Sequence, residues 1–225
     1  MAHPQPTTRN RLQDSNKRGV IPGGWRAGLA VGTFLLSGAL LADRSVMTAL
    51  RPDGLPWLVG ILQCVTWLGY GLVDIAVPVA IGLIARGRGD TDGGRRGFLG
   101  GSAVAAAGLL DQVLKNLLCR ARPSAAAAGA FFSTFPCFPA PYALASFPSG
   151  HAATGFALAT VLSQWYPKWT AAWLALAAVV GWSRIALGSH FPSDVLGGAV
   201  LGVAVVLGFF RWVPGTGNVK CKTDN

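Results

Sequence analysis

Charged residues are scarce in this sequence: Asp, Glu, Lys and Arg together account for 12% of its 225 residues. A soluble domain usually carries about 25%, so the low share argues against a soluble domain and favours a membrane protein. Hydrophobic residues make up 52% of the chain, and its mean hydropathy is positive. The sequence also lacks a basic patch interleaved with aromatic residues on a polar face. The net charge of +10 is therefore not the mark of a nucleic-acid partner.

Strand periodicity and internal repeats are missing as well. Instead the chain holds apolar runs close to the roughly 17–25 residues needed to cross a hydrocarbon core. The six runs are Trp25–Ala42, Leu68–Ala85, Phe98–Leu118, His151–Trp165, Trp169–Leu187 and Val195–Trp212. This pattern predicts an all-α integral membrane bundle of six transmembrane helices over residues 25–213. A further stretch, Leu55–Trp67, is too short to span alone and is expected to lie at the interface or to extend the second helix.

The distribution of lysine and arginine predicts the orientation of these spans. Of the 19 basic residues, 11 lie before the first run, between the second and third, between the fourth and fifth, or after the sixth, and Arg26 and Arg211 at the matching ends of the first and sixth runs bring the number to 13. Because cytoplasmic segments carry the excess of Lys and Arg, we expect residues 1–24 and 214–225 to be cytoplasmic tails, the first of them disordered. Residues 87–97 are expected to form a flexible cytoplasmic loop. A bacterial inner membrane is the expected location.

Few ionisable residues lie inside or at the ends of the runs, where such groups are costly and usually functional. Six of them emerge on the outer side, towards the periplasm or the exterior: Lys115, Arg122, His151, Arg184, His190 and Asp194. Singly, each has an ordinary explanation, such as snorkelling, helix capping or an ion pair between Lys115 and Asp111. Their common placement on one face favours a single site.

The residue types predict that this site binds an anion. Lys115, Arg122 and Arg184 supply three positive charges, and the planar fork of arginine suits phosphate oxygens. Ser149 and Gly150 open a helix, whose N-terminal backbone N–H groups bind anions. The Ser149 hydroxyl adds a donor, and Gly150 lets an oxyanion approach the main chain closely.

Two histidines beside such a site indicate phosphoryl transfer. A neutral imidazole can attack phosphorus to form a covalent intermediate, and a protonated imidazole can give a proton to the leaving oxygen. Asp194, four residues after His190, can fix the tautomer of that ring and stabilise its cationic form. No second carboxylate cluster accompanies them, because Asp43 and Asp53 are expected to lie alone in the first external loop. A metal is therefore not expected.

These residues resemble the signature of the type-2 phosphatidic acid phosphatase superfamily, which is related to the vanadium haloperoxidases. All three parts of that signature match: Lys115-NLLCRA-Arg122-Pro123, Pro148-Ser149-Gly150-His151 and Ser183-Arg184-IALGS-His190-FPS-Asp194.

The resemblance implies a role for each matching position. His190 is implied to be the nucleophile that becomes phosphohistidine, and Asp194 its orienting partner. His151 is implied to act as general acid and then as the base that activates water. The residues implied to bind the phosphoryl oxygens are Lys115, Arg122, Ser149, Gly150 and Arg184. No metal or organic cofactor is implied.

The sequence thus predicts a membrane lipid phosphatase that hydrolyses a lipid phosphomonoester or pyrophosphate without a metal. The reaction is expected at the outer surface of the membrane that the protein spans. Candidate substrates are phosphatidylglycerophosphate, phosphatidate, polyprenyl pyrophosphate and a lipid A phosphate. The sequence does not choose among them, because the motif residues bind the phosphate group and not the lipid that carries it. Two alternatives stay open: a lipid phosphotransferase with the same site, and a non-catalytic lipid transporter. The expected partners are the bilayer and the lipid phosphate, and no oligomeric state is assigned.

Other residues have structural interpretations. Cys119 and Cys137 both fall on the outer side, where a disulfide could persist, and two unpaired thiols are the alternative. Asp74 is expected to make a polar contact inside the bundle, and Arg120 to meet lipid headgroups. The aromatic residues of the long external loop, 123–147, are expected to anchor at the membrane interface.

Overall fold

The computed structural model describes residues 25–52, 54–125 and 127–213, and within these ranges it holds seven α-helices and no β-strand. The helices are α1 (Trp25–Leu50), α2 (Pro56–Thr66), α3 (Gly71–Gly87), α4 (Thr91–Leu118), α5 (Gly150–Trp165), α6 (Thr170–Ala186) and α7 (Pro192–Trp212). The predicted all-α class is confirmed. The two predicted cytoplasmic tails and Asp53 lie outside the described residues.

Several helices are suited to crossing a membrane, and the chain is an integral membrane protein. In the described ranges, α4, α7 and α6 with its preceding 3₁₀ turn are each long and apolar enough to span. Helices α2 and α3 form a fourth candidate if they count as one span with a bend of 53°. The stretch Leu55–Trp67 meets α3 at this bend, so both interpretations of it, an interfacial segment and an extension of the second helix, stay predictions. The count of six spans stays a prediction, since α5 has 16 residues and is short for a bilayer.

Residues 87–97 were expected to form a flexible loop, and this expectation is wrong because α4 already begins at Thr91. The carboxylate of Asp90 caps the helix by accepting a hydrogen bond from the Gly93 N–H at 2.7 Å. The glycines of this stretch serve packing: a Cβ placed on Gly97 would lie 2.2 Å from the Cα of Gly82. Helices α3 and α4 therefore touch through their backbones at this point.

Helix α1 continues past the predicted end of the first span at Ala42 and reaches Leu50. Asp43 ends the apolar run, but a charged residue does not by itself end a helix. No glycine or proline interrupts the chain between Gly38 and Pro52, so the helix continues. Asp43 is therefore helical and buried, and its prediction as an isolated loop residue is wrong. Packing of α1 against α7 brings it to the start of that helix.

Helices α5 and α7 pack against each other through their main chains. A Cβ on Gly198 would lie 2.5 Å from the Ser149 carbonyl oxygen, and one on Gly202 would lie 2.2 Å from the Ala153 carbonyl oxygen. Small residues allow this close approach. A buried apolar cluster joins both helices to α4 and consists of Ala103, Val104, Ala107, Ala157, Val161 and Val206.

Candidate active site

The three motif segments meet at one end of the bundle. The N–H of Ser149 donates to the Asp194 carbonyl at 2.9 Å, and the N–H of His190 donates to the Arg184 carbonyl at 3.2 Å. The Arg122 guanidinium donates to the carbonyl of Ser189, the neighbour of His190, at 2.9 Å. Segments that are distant in sequence thus form one cluster.

His190 lies in the short loop between α6 and α7, and 2% of its surface is exposed. Its Nδ1 lies 2.9 Å from the Ser146 carbonyl oxygen and 3.5 Å from Oδ2 of Asp194. Both neighbours are hydrogen-bond acceptors, so Nδ1 carries the proton of the neutral ring and Nε2 keeps its lone pair. Nε2 is therefore the nitrogen that can act as a nucleophile.

Asp194 is fully buried in the first turn of α7. Its Oδ2 accepts hydrogen bonds from the Phe191 N–H at 2.8 Å and from the Ser146 hydroxyl at 2.6 Å. The bond from Phe191 caps α7, and a carboxylate in this first turn is also favoured by the helix dipole. Asp194 thus acts on His190 directly and by fixing Ser146, whose carbonyl makes the shorter contact to the ring. Sequence reasoning missed Ser146, which belongs to none of the three motifs.

Burial lowers the pKa of His190 from 6.5 to about 4, against the opposing effect of the hydrogen bond and charge of Asp194. The imidazole is therefore neutral at pH 7 and gains a proton only as the pH falls towards 4. The unfolded chain takes up this proton near pH 6.5. Because the folded protein binds it less tightly, acid weakens the fold progressively as the pH falls from 6.5 through 4.

We expect His190 to remain uncharged from neutral pH down to about pH 5, because its site disfavours the charged form. The chain has three histidines, so ¹⁵N NMR of histidine-labelled protein in detergent micelles can follow each ring. The signal that is missing from a His190→Gln spectrum identifies this residue. A midpoint near the ordinary value of 6.5 for that signal would show that burial does not keep the ring neutral.

Ser149 and Gly150 begin α5, as the helix-terminus interpretation expects. Ser149 occupies the N-cap position, yet its hydroxyl makes no capping bond, and the buried Oγ has no hydrogen-bond partner. Buried hydroxyl groups normally have a partner, so this donor marks a place for an acceptor. A Cβ on Gly150 would lie 3.2 Å from Nζ of Lys115, so the glycine lets the ammonium group approach the start of α5.

Lys115 lies near the end of α4 and forms an ion pair with Asp111, one helical turn earlier, with both side chains buried. Asp111 Oδ2 would also lie 3.1 Å from a Cβ on Gly150. Lys115 was interpreted either as the partner of Asp111 or as part of the anion site, and its position is compatible with both. It is paired within its own helix, and it is also held beside the start of α5.

Arg184 supplies a second buried donor without an acceptor. Its Nη1 donates to the Thr66 hydroxyl of α2 at 2.7 Å, whereas its buried Nε has no partner. The Arg184 carbonyl accepts the His190 N–H, which places this arginine next to His190.

Arg122 connects the external loop to the site. It donates to the carbonyls of Tyr142 at 2.8 Å, Ala145 at 3.1 Å and Ser189 at 2.9 Å. Its Cζ also lies 3.9 Å from the centre of the Tyr142 ring. These bonds occupy three of the five N–H groups of the guanidinium. Arg122 therefore holds the loop in place in addition to bringing positive charge to the site.

His151 lies in the first turn of α5, within electrostatic range of Lys115, Arg122, Arg184 and His190. A cavity of about 480 Å³ opens beside it between α3, α4 and α5. We call this cavity the apolar groove; its lining includes Leu72, Ile75, Ala105, Gly108, Leu109 and Thr154, together with Asp111, Gly150 and His151 of the site. Leu72 and Leu109 are exposed on the outside of the bundle, so the groove connects the site to the lipid-facing surface.

Arg120 was expected to meet lipid headgroups, and this expectation is wrong because its side chain is buried. The guanidinium forms ion pairs with Asp194 and with Asp43 of α1. Its Cζ lies 4.6 Å from the centre of the Phe131 ring and 4.7 Å from that of Phe191. The one feature of the sequence that could have indicated this buried ion pair was Asp43, since an acidic residue at the end of an apolar run needs a partner of opposite charge.

Cys119 and Cys137 form a disulfide, with their Cα atoms 6.0 Å apart. Both residues are buried. The bridge ties the external loop to the end of α4, where Cys137 Sγ lies 3.7 Å from the Lys115 carbonyl oxygen.

Other carboxylates of the bundle do not form a metal centre. In the part of the chain that the structure describes, no three His, Cys, Asp or Glu side chains are grouped to hold a metal ion. Asp74 is fully buried in α3 with neither oxygen in a hydrogen bond. Thr154 of α5 is the polar side chain that interacts with this carboxylate, so the polar contact predicted for Asp74 lies inside the bundle, although it is not a full hydrogen bond.

Two solved structures share this fold. The crystal structure of Aquifex aeolicus LpxE is 24% identical and superposes with a TM-score of 0.56, covering 76% of this chain and 95% of that chain. That of the PAP2-type phosphatidylglycerolphosphate phosphatase from Bacillus subtilis is also 24% identical, with a TM-score of 0.53 and coverage of 81% and 92%.

Sequence comparisons identify the family. A lipid A 1-phosphatase of Rhizobium etli is 37% identical over 101 residues, which cover 45% of this chain and 43% of that protein. The chain thus matches less than half the length of such curated relatives. The model of the PAP2 superfamily matches residues 98–217, which is more than half of the chain and includes all three motif segments. The chain therefore belongs to the PAP2 superfamily.

Proposed function

We propose that this protein hydrolyses a lipid phosphate at the outer face of the membrane through a phosphohistidine on His190. The observation that carries the proposal is a neutral imidazole, fixed through Nδ1, next to buried donors that lack an acceptor. Those donors are Ser149 Oγ and Arg184 Nε. The oxygens of a phosphoryl group would satisfy both donors and place phosphorus before Nε2 of His190.

In the first step, Nε2 of His190 bonds to phosphorus while the bond between phosphorus and the leaving oxygen breaks. The imidazole becomes cationic, and the buried carboxylate of Asp194 stabilises it. His151 donates a proton to the leaving oxygen. The lipid then departs as an alcohol, or as a lipid monophosphate if the substrate is a pyrophosphate.

In the second step, His151 takes a proton from a water molecule as the water oxygen bonds to phosphorus and the N–P bond breaks. Inorganic phosphate is released, and both histidines return to their starting protonation states. Lys115, Arg122 and Arg184 balance the charge on the phosphoryl oxygens in both steps. The cations that this mechanism requires are therefore side chains of the protein.

The apolar groove supports a lipid as the carrier of the phosphate. Its lining includes Gly150 and His151, aliphatic residues and further glycines, together with the polar residues Tyr70, Asp111, Gln112 and Thr154. A hydrocarbon chain in the groove would bury apolar surface while its phosphate reaches the donors. The relatives named as a lipid A 1-phosphatase and a phosphatidylglycerolphosphate phosphatase support the same substrate class. The distribution of Lys and Arg supports an outward-facing site in a bacterial inner membrane.

The proposal is tested by phosphate release from purified protein in detergent, with phosphatidylglycerophosphate, phosphatidate, a polyprenyl diphosphate and lipid A as separate substrates. We expect release from at least one of them at the same rate with and without EDTA. A substrate labelled with ³²P should leave an acid-labile, base-stable label on the protein. Absence of release from all four lipids, or a requirement for a divalent ion, would overturn the proposal.

A second arm of this experiment distinguishes hydrolysis from transfer. Addition of a diacylglycerol or an undecaprenol as acceptor is expected to leave phosphate release unchanged. A phosphorylated acceptor formed at the expense of free phosphate would instead identify a phosphotransferase.

A further inference from the structure

A buried ionic network connects α1 to the site, although α1 lies outside residues 98–217. Asp43 accepts a hydrogen bond from the Ser193 N–H at 2.9 Å through Oδ1, and Oδ2 accepts from Arg120 Nη2 at 2.6 Å. Arg120 Nη1 donates to Asp194 and to the Ser193 hydroxyl. One guanidinium therefore bridges a carboxylate of α1 and the carboxylate that holds His190.

The charged groups of this network are buried, and a cavity of about 260 Å³ lined in part by Asp43 and Arg120 lies beside them. The exposed fractions of Asp43, Arg120 and Asp194 are 5%, 3% and 0%, and the rings of Phe131 and Phe191 pack against the guanidinium. Charges in such an environment interact more strongly than charges in water. The net charge of the three side chains is −1, because Asp43 balances Arg120 and Asp194 is left to face His190.

The contacts of Asp194 show why this balance matters. Oδ1 is held by Arg120, and Oδ2 by the Ser146 hydroxyl and the Phe191 N–H. Without Asp43, the positive charge of Arg120 would be balanced by Asp194 alone. The carboxylate would then stabilise a cationic ring at His190 less well.

We propose that Asp43 is a positioning residue for the reaction, which acts through Arg120 on the charge and orientation of Asp194. This inference rests on the proposed function, since its effect is exerted on the phosphorylation of His190. It also assigns α1 a part in the chemistry that the three sequence motifs do not contain.

The test is a double-mutant cycle of Asp43→Asn and Asp194→Asn, with kcat and KM measured for the lipid phosphate that the wild type hydrolyses fastest. Asparagine keeps the size of Asp43 and an oxygen for Ser193, but removes the charge. We expect Asp43→Asn to lower kcat about tenfold or more, as loss of an outer partner of a site residue often does, with KM little changed. In the Asp194→Asn background the same substitution should change kcat by less than about twofold, because both act in one chain of contacts.

Arg44→Gln is the matched control. Arg44 is the neighbour of Asp43 on α1, and it donates to the Ala128 carbonyl of the same external loop at 3.2 Å without contacting Asp194. It should retain wild-type kcat. If Asp43→Asn does not yield folded protein, Ser193→Ala provides a second route, because it removes the hydroxyl shared by Asp43 and Arg120 without changing the charge. It should lower kcat with KM little changed, by less than tenfold.

The outcomes separate this inference from the proposed function. Wild-type protein that releases no phosphate from any lipid would refute the proposed function itself. Active wild type with an unchanged kcat in Asp43→Asn, or in Ser193→Ala when that variant is used, would refute only the role of Asp43. A loss of kcat that is equally large in the Asp194→Asn background would also refute it and would indicate a general structural effect.

Discussion

A His190→Gln variant is expected to lose phosphate release by about four orders of magnitude or more, as enzymes do when their nucleophile is removed. The glutamine amide can still donate to the Ser146 carbonyl, so the pocket should keep its shape while the nitrogen that attacks phosphorus is gone. Release of inorganic phosphate by purified protein in detergent measures the loss. Binding of the lipid phosphate is expected to persist, because the donors on Ser149, Lys115 and Arg184 are untouched.

His3→Gln is the matched control for this variant, because His3 lies outside the three motif segments. It should retain the wild-type rate. The ³²P label on the protein should be present in His3→Gln and absent in His190→Gln. Retention of label or of turnover in His190→Gln would rule out His190 as the nucleophile.

An Arg120→Met variant is expected to lower the free energy of unfolding by about 3–5 kcal/mol, the usual cost of removing one partner from a buried ion pair. Methionine fills part of the space between the rings of Phe131 and Phe191. It leaves the carboxylates of Asp43 and Asp194 buried side by side without the cation that separates them. Thermal unfolding in a mild detergent, followed by circular dichroism, measures the effect.

Arg88→Met is the control for the loss of an arginine. Arg88 follows α3 and is exposed, so its replacement should change stability by no more than about 0.5 kcal/mol. Arg120→Lys should fall between the two, since lysine keeps the charge but lacks the fork that reaches both carboxylates. Equal unfolding midpoints for Arg120→Met and Arg88→Met would show that the network contributes little to stability.

Much of the candidate site could be predicted from the sequence, because its residues are unusual where they stand. An ionisable side chain such as His151 or Arg184 is costly next to lipid, so its presence calls for a function. The direction of each apolar run then indicates the face on which the side chain emerges. The roles assigned to Lys115, Ser149 and His190 came from this reasoning together with the motif spacing, and they stay predictions until variants are measured.

The parts that could not be predicted depend on contacts between distant segments. Nothing in the local sequence distinguishes an arginine at a membrane surface from one buried between two rings, which is why Arg120 was misassigned. Ser146 acts largely through its carbonyl, a group that every residue possesses. The glycines of 87–97 suggest flexibility locally, whereas their packing against Gly82 follows only from the pairing of α3 with α4.

The glycine contacts of α7 with α5 restrict how the two imidazoles can move. His151 lies in the first turn of α5, and His190 precedes α7 by two residues, so the main-chain contacts at Gly198 and Gly202 hold the backbones of these two residues at a set separation. Close main-chain packing of this kind restricts sliding of α5 against α7. Under the proposed function, we therefore expect a groove that widens for a bulky lipid to do so by movement of α3 or α4, which border it, while α5 and α7 stay packed.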